Sequence, residues 1–429
     1  MTYQLPSTNY QPNSIVNEPT NYHLPTKNFH TNPQLHFGIA YDTIRLMISR
    51  DILRYIDRVR NEFPVLAILG PRQSGKTTLV RSHFQGYSYV NFEHESTLAA
   101  AKSDLDGFMR LNPPPLILDE VQRFPAILNE IQVWVDAHPG QKASYVLTGS
   151  NQPELRGVVT ESLAGRVALA YLLPLSFSEL RPAFGIDRAE SVLKGFMPRI
   201  YADGASPDLL YENYLSTYVQ RDVSQLVNLK DSSRFMTFLR LLAARVGQML
   251  NYESLANEIG VSGTTVKDWL SVLEASFVVF RLPPYYRNFG KRFVKTPKVY
   301  FTEVGLAAHL LNFSTAGQLE RDPLFGGLFE NMVVANIRKN RFNQGIVQGG
   351  TAGMFFARDN NGNEVDVVIE DGRDIDLVEI KSAMSFNEGY AKGLLRYGKL
   401  IPEFRRGTVI YAGMPASVSG IDFVNFAAT

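Results

Sequence analysis

One short peptide constrains this chain more than any other feature. Gly70, Pro71, Arg72, Gln73, Ser74, Gly75, Lys76 and Thr77 satisfy the spacing G-x-x-x-x-G-K-[ST]. They lie between an apolar run at 65–69 and a stretch of helical character that begins near Lys76. That context dictates a strand, a curled loop and a helix. Glycines let the loop close so that backbone N–H groups converge, and the helix N-terminus adds the positive end of its dipole. A chain of phosphates suits such a cradle. Lys76 would reach the β- and γ-phosphates, the Thr77 hydroxyl would ligate Mg²⁺, and 70–78, Thr78 included, would line the loop. The expected cofactors are ATP and Mg²⁺.

Two further strand ends fit this reading. Leu116, Ile117 and Leu118 run into Asp119 and Glu120. Asp119 would complete the Mg²⁺ shell and Glu120 would polarise the attacking water. Tyr145, Val146 and Leu147 run into Thr148, Gly149 and Ser150. If that strand neighbours the other two, Thr148 or Ser150 could bond the γ-phosphate or the water. Arg166 is the candidate for stabilising charge on the transferring phosphoryl group, from its own chain or from a neighbouring subunit, with Arg72 and Arg123 as weaker ones. The catalytic set expected is Lys76, Glu120 and Arg166.

Short apolar runs at 65–69, 87–92, 116–118, 145–147 and 167–173 alternate with helical stretches, the rhythm of a mostly parallel sheet covered on both faces. An amphipathic helix is expected at 42–61, and 1–40 read as a flexible tail. With no cysteine in 429 residues, disulfides, thiolate zinc sites and cysteine nucleophiles are excluded. No apolar run reaches the roughly 18 residues of a membrane-spanning helix, and no secretion signal is seen, so a cytoplasmic protein with no membrane role is expected. Lys and Arg (43) balance Asp and Glu (42), so any nucleic-acid surface must be local.

Beyond 206 the pattern turns helical, at 211–227 and 232–245. A two-helix unit about Gly260 spans 252–274, with Ala256 at the crossing and Val266, Trp269, Leu270 and Leu273 as the buried face of the second helix. This spacing resembles a DNA-reading helix-turn-helix. Lys267 against Asp268 and Glu274 leaves that helix without positive excess, so it is weak as a base reader. The segment 281–298 carries six basic residues and no acid, interleaved with Tyr285, Tyr286, Phe289 and Phe293. It is a candidate wing for DNA or RNA, or alternatively a solvated or interdomain basic face.

A helix is expected at 327–340 and strands near 353–357, 364–370 and 375–381. If the last two form a hairpin symmetric about 372 and 373, Asp366 lies opposite Glu379, with Lys381 on the same face. Paired carboxylates need a cation between them. A second Mg²⁺ held by Asp366, Glu379 and Glu330 beside Lys381 is one solution, and Lys381 bridging the acids without metal is the other.

Together these stretches resemble a family of prokaryotic AAA-like P-loop ATPases whose C-terminal half is a domain of unknown function related to restriction-endonuclease-like nucleases. The resemblance runs from about Asp51 to Gly393, through 70–79, 119–123, 147–150, 162–167, 174–179, 218–223, 295–301, Glu330, 364–367 and 379–382. One departure is Glu303, where relatives usually carry Asp. The resemblance implies an α/β chain: a P-loop NTPase (RecA/AAA-like) parallel-sheet domain at 41–205, a helical and winged-helix domain at 206–320 and a restriction-endonuclease-like α/β domain at 321–429. It implies ATP binding and hydrolysis, and the reading adopted is an ATPase whose nucleotide cycle gates a nucleic-acid-associated C-terminal module. The alternatives are an ATP-regulated metal-dependent nuclease and a nucleotide-dependent regulatory or protein-interaction platform with no DNA role. An oligomer would follow if Arg166 acts between subunits.

Overall fold

The apolar runs of the first half pair side by side into a five-stranded parallel sheet. Its strands are β1 (Val65–Gly70), β2 (Ser88–Asn91), β3 (Leu116–Asp119), β4 (Tyr145–Ser150) and β5 (Val167–Tyr171), in the order β2-β3-β4-β1-β5. The coordinates are a computed structural model that describes residues 48–150, 157, 159, 161–218, 232–285, 296–347 and 350–429, all within the compact unit 45–429. The expected tail at 1–40 lies outside the described residues.

Along β1 the side chains alternate between two cores. Val65, Ala67 and Leu69 join the large core, whereas Leu66 and Ile68 join a second one beneath the helices Leu53–Val59 and Lys76–His83. A strand buried on both faces has no polar side to show, which explains its unbroken apolar sequence. The helix expected at 42–61 is shorter, Leu53–Val59, with 42–47 outside the described residues. Ahead of it Arg50 and Asp51 are drawn to Glu179, which accepts from Arg50 Nε at 3.0 Å and from the Asp51 N–H at 2.8 Å.

The middle of the chain packs helices on the same large core. Helix Pro207–Tyr218 covers part of the segment expected at 211–227, the rest of which lies outside the described residues. Helices Tyr252–Ile259 and Gly263–Ala275 meet at Gly260, whose left-handed φ of 75° makes the turn, and Asn251 and Ser262 cap them. A two-stranded antiparallel ribbon follows, β6 (Val279–Leu282) with β7 (Lys298–Phe301).

The C-terminal sheet has six strands: β8 (Met354–Arg358), β9 (Glu364–Asp371), β10 (Asp374–Lys381), β11 (Phe404–Tyr411), β12 (Ala416–Val418) and β13 (Ile421–Asn425). Their order is β12-β13-β11-β10-β9-β8, with β10, β11 and β13 mutually parallel and the other pairs antiparallel. The helix Phe325–Asn343 runs between this sheet and the rest and is buried on nearly every side. Several of its buried polar groups have partners. Asn331 exchanges bonds with the Phe301 backbone, Asn336 accepts from the Phe177 N–H, and Lys339 donates to the Leu175 carbonyl. One large core therefore continues from the parallel sheet through the middle helices to β10 and β11.

Candidate nucleotide site

The carboxyl ends of β1, β3 and β4 are adjacent, because β4 pairs with both β1 and β3. In open parallel sheets this edge is where ligands bind. The loop after β1 curls with Gln73 and Gly75 in the left-handed region, at φ 63° and 93°. Glycine is required at position 70 for another reason: a Cβ there would collide with the backbone carbonyl of Leu172. The Lys76 ammonium is buried and folds back onto the carbonyls of Gly70 and Pro71 at 3.1 and 2.9 Å. Burial lowers its pKa, with Glu120 and Asp119 opposing that fall. Ser74 Oγ donates to the Pro71 carbonyl at 3.0 Å and tightens the turn.

Asp119 is the hub of the site. Thr77 Oγ1 donates to its Oδ2 at 2.8 Å, Tyr89 donates to the same oxygen at 2.6 Å, and the Thr148 hydroxyl donates to Oδ1. The Glu120 N–H in turn donates to Thr148 Oγ1 at 3.3 Å. Glu120 sits in the left-handed region at φ 59°, a conformation that costs a non-glycine residue roughly 1–2 kcal/mol. Its carboxylate is engaged by Gln122, which also donates to Ser150 Oγ at 2.9 Å. Thr77 and Asp119 thus present a hydroxyl and a carboxylate oxygen side by side, the hard donors Mg²⁺ prefers, and the residues present fit that ion.

A cavity of about 500 Å³ opens over this edge. Its lining joins Arg72, Gln73, Gly75, Lys76, Thr77, Thr78 and Glu120 to Pro198, Arg199, Ala202, Asp203, Tyr214 and Thr217. The volume lies within the range of nucleotide-sized ligand sites. Three residues at this edge escaped the sequence reading. Arg50 braces the loop from behind, donating to the Ser74 carbonyl at 2.8 Å and the Leu173 carbonyl at 2.6 Å. Tyr89 holds Asp119, and Arg199 lines the cavity with its Nε 3.5 Å from Asp203. Arg50 carries no local signal, but its partner does: Ser176 and Glu179 form a complete capping box, legible as S-x-x-E.

Arg166 requires a correction. Its carbonyl accepts the N–H of Val65, the first residue of β1, whereas the phosphate loop leaves the last, Gly70. Five residue steps at about 3.3 Å each separate the two ends, so Arg166 lies roughly 17 Å from the loop. Its guanidinium is spent on Asp136, with Nε and Nη2 at 2.6 and 2.8 Å from the two carboxylate oxygens. It does not serve the site of its own chain. Arg123, at the same sheet edge as Asp119, pairs with Glu95 at 2.6 Å.

The C-terminal acids also differ from expectation. The β9–β10 register pairs Val367 with Val378, and one step further sets Asp366 opposite Glu379, as the symmetric hairpin requires. Lys381 lies 2.6 Å from Glu379 and 3.7 Å from Asp366. Glu330, however, is engaged by Lys298 Nζ at 3.2 Å and by Tyr300 at 2.6 Å. Among the described residues no group of three or more acidic or histidine side chains is arranged to hold a metal ion. In this structure lysines stand beside Glu330, Asp366 and Glu379, the arrangement of the metal-free alternative. In the described part of 281–298, Lys298 and Tyr285 are buried and Arg281 pairs with Glu274 at 2.6 Å, while the other four basic residues lie outside the described residues. Tyr286, Phe289 and Phe293 lie outside the described residues. Glu303 is an interior anchor, accepting from the Phe196 N–H, the Gly305 N–H and Tyr211.

Sequence comparison agrees with this architecture. The family described as "AAA domain" matches residues 62–181, and two described as domains of unknown function, DUF8612 and DUF4143, match 185–317 and 325–426. The chain is 31% identical over 314 residues to "Uncharacterized protein Rv2008c" of Mycobacterium tuberculosis, spanning 71% of this chain and 69% of that one. It belongs to the Rv2008c family. A Haemophilus influenzae protein titled only as uncharacterized is similar at 24% identity, over 65% of this chain and 77% of its own. Among solved structures, "The walker-type atpase paby2304 of pyrococcus abyssi" aligns with a TM-score of 0.39 and 14% identity, covering 62% of this chain and 96% of that one. The Rv2008c-family chain thus carries an AAA-type P-loop domain, and no helix among its described residues is long and apolar enough to cross a membrane.

Proposed function

We propose that this chain is a Mg²⁺-dependent ATPase whose nucleotide cycle is relayed to its C-terminal domain. The observation that carries the reading is the convergence of Lys76, Thr77, Asp119 and Thr148 on the carboxyl edge of one parallel sheet, under a nucleotide-sized cavity. The loop amides and Lys76 bind the phosphates. Thr77 and Asp119 hold Mg²⁺, which when bound neutralises charge on the β- and γ-phosphates. Glu120, released from Gln122, orients the attacking water and takes its proton, while Thr148 ties the Glu120 backbone to Asp119. With Arg166 at the other end of the sheet, Arg199, which lines the cavity beside Asp203, is the cation offered to the site once released from that acid.

A relay to the C-terminal domain is supported by an unbroken run of polar contacts. Arg50 joins the Ser74 carbonyl to Glu179, and Glu179 accepts from the Ser176 N–H at 2.9 Å. The next residue, Phe177, donates to Asn336 on the helix Phe325–Asn343, which also carries Glu330. Hydrogen exchange tests the relay: Mg-ATP is expected to change protection in 325–343 in the wild type and not in Lys76→Ala. Identical exchange in 325–343 with and without Mg-ATP would leave an ATPase without the relay.

A regulatory or protein-interaction platform is favoured over a nucleic-acid motor by the inward turn of Tyr285 and Lys298 and the pairing of Arg281. Binding to single- and double-stranded DNA and RNA, titrated with salt, separates the two. Salt-sensitive affinity that disappears when the basic residues of 281–298 are neutralised would restore the nucleic-acid reading.

A further inference from the structure

The acids of the C-terminal sheet are where a metal-dependent nuclease would hold its ion, and the positions a cation would take are already filled. Lys298 Nζ touches Glu364, lies 3.2 Å from Glu330 and 3.9 Å from Asp366, and its side chain is 3% exposed. Lys381 and Arg358 pair with Glu379 and Glu364 at 2.6 and 2.9 Å. Lys298 is no surface side chain that folded inward by default. Its backbone is fixed on both sides, paired with Leu282 in β6 and bridged to Met249.

The carboxylate oxygens are also largely spent. Glu330 Oε1 accepts from Tyr300 as well as Lys298, and Asp366 Oδ2 accepts from the Ile380 N–H at 2.8 Å. Glu379 Oε2 is a buried oxygen with no partner among the described residues. Four carboxylates meet three cations, Lys298, Lys381 and Arg358, so the set comes within one charge of balance from its own side chains. A divalent ion would have to displace the buried Lys298 ammonium from these oxygens and leave that charge buried and unpaired, an expensive arrangement.

We infer that this cluster is an ammonium-centred joint between the β6–β7 ribbon, the helix Phe325–Asn343 and the C-terminal sheet, closed to divalent cations. Lys298 comes from the ribbon, Glu330 from the helix, and Glu364 and Asp366 from β9, so one ammonium ties three elements together. It follows that this cluster does not serve metal-assisted cleavage of nucleic acid. The joint is independent of nucleotide chemistry and stands or falls separately from the ATPase reading.

The test is a Mn²⁺ titration of the full-length, nucleotide-free chain, following the free-ion signal by electron paramagnetic resonance. Wild type and Asp366→Asn are expected to give the same signal at every addition. Stoichiometric Mn²⁺ uptake that Asp366→Asn loses and Asp119→Asn retains would overturn the inference. A second arm follows melting. Lys298→Met is expected to melt below the wild type, and adding Glu330→Gln in the same chain is expected to recover part of the loss. A Lys298→Met protein that melts with the wild type would overturn the joint. If Lys298→Met does not fold, the Mn²⁺ comparison decides alone.

Discussion

Thr77 and Asp119, 42 residues apart in sequence, meet through a 2.8 Å hydrogen bond from the threonine hydroxyl to the aspartate carboxylate. The contact brings the first turn of the loop helix to the end of β3, and Thr148 reaches the other oxygen of the same carboxylate from β4. Three segments thereby agree on one point in space. In the proposed mechanism Thr77 and Asp119 would hold Mg²⁺ here, and the ion would neutralise phosphate charge.

Lys76 and Glu120 should fail in different ways. Lys76→Ala removes the cation that holds the phosphates and is expected to weaken Mg-ATP binding and turnover together. Glu120→Gln keeps the shape and loses the base, so binding should persist while kcat falls by about 10²–10⁴-fold. Steady-state turnover beside a fluorescent-nucleotide binding assay checks both. Unchanged turnover in either variant contradicts the assignment.

The two arginines provide a contrast. Arg166→Ala breaks an exposed pair with Asp136 at the far end of the sheet and should leave single-chain turnover within about twofold of the wild type. Arg199→Ala removes the cation lining the cavity and should lower kcat by about tenfold or more. Turnover measured at high dilution, where subunits cannot assist each other, is the relevant assay. A large loss in Arg166→Ala under those conditions would return that residue to the site.

Arg50 and Glu179 form a buried pair, with side chains 9% and 0% exposed. Removing one partner of such a pair strands the other charge, so Arg50→Met should lower unfolding stability by about 3–5 kcal/mol. Neutralising Glu179 to Gln in the same chain should recover part of it. Denaturant unfolding of the single and double variants measures both. Because Arg50 also holds the Ser74 carbonyl, nucleotide affinity should fall in the double variant even where stability is regained.

The C-terminal acids set a pH dependence. Burial and the neighbouring Asp366 raise the Glu379 pKa to about 8, with Lys381 opposing and Glu330 adding to the rise. Burial and Asp366 raise Glu330 to about 7, with Lys298 and Tyr300 opposing. Both hold protons in the folded state that the unfolded chain releases near 4.5, so stability falls as pH rises from there through 7 and 8. Glu379→Gln should flatten that decline and be more stable than wild type at alkaline pH. Thermal melts at intervals from pH 5 to pH 9 decide it, and parallel curves for the two proteins would exclude Glu379 as a source of the decline.

The parts of the fold legible in sequence are those governed by local rules. The loop glycines, the strand-end carboxylates and the apolar β1 announce themselves because each is a contiguous pattern with one structural solution. The β9–β10 register was also legible, since a short turn leaves the hairpin little freedom. Long-range partnerships were not. Nothing near Arg50 says that it will meet Glu179 across 129 residues, and nothing in the basic run 281–298 says that Lys298 will be buried against acids. Arg166 followed a suggestive pattern, but only the pairing of Val65 with Val167 reveals which end of the sheet it occupies.

Titration calorimetry with Mg-ATP tests the central claim most directly. The wild type should bind with a saturable heat that depends on Mg²⁺, and Lys76→Ala should lose at least about tenfold in affinity, about 1.4 kcal/mol. A folded wild-type protein that gives no heat with Mg-ATP, or binds it no better than Lys76→Ala does, would contradict the account.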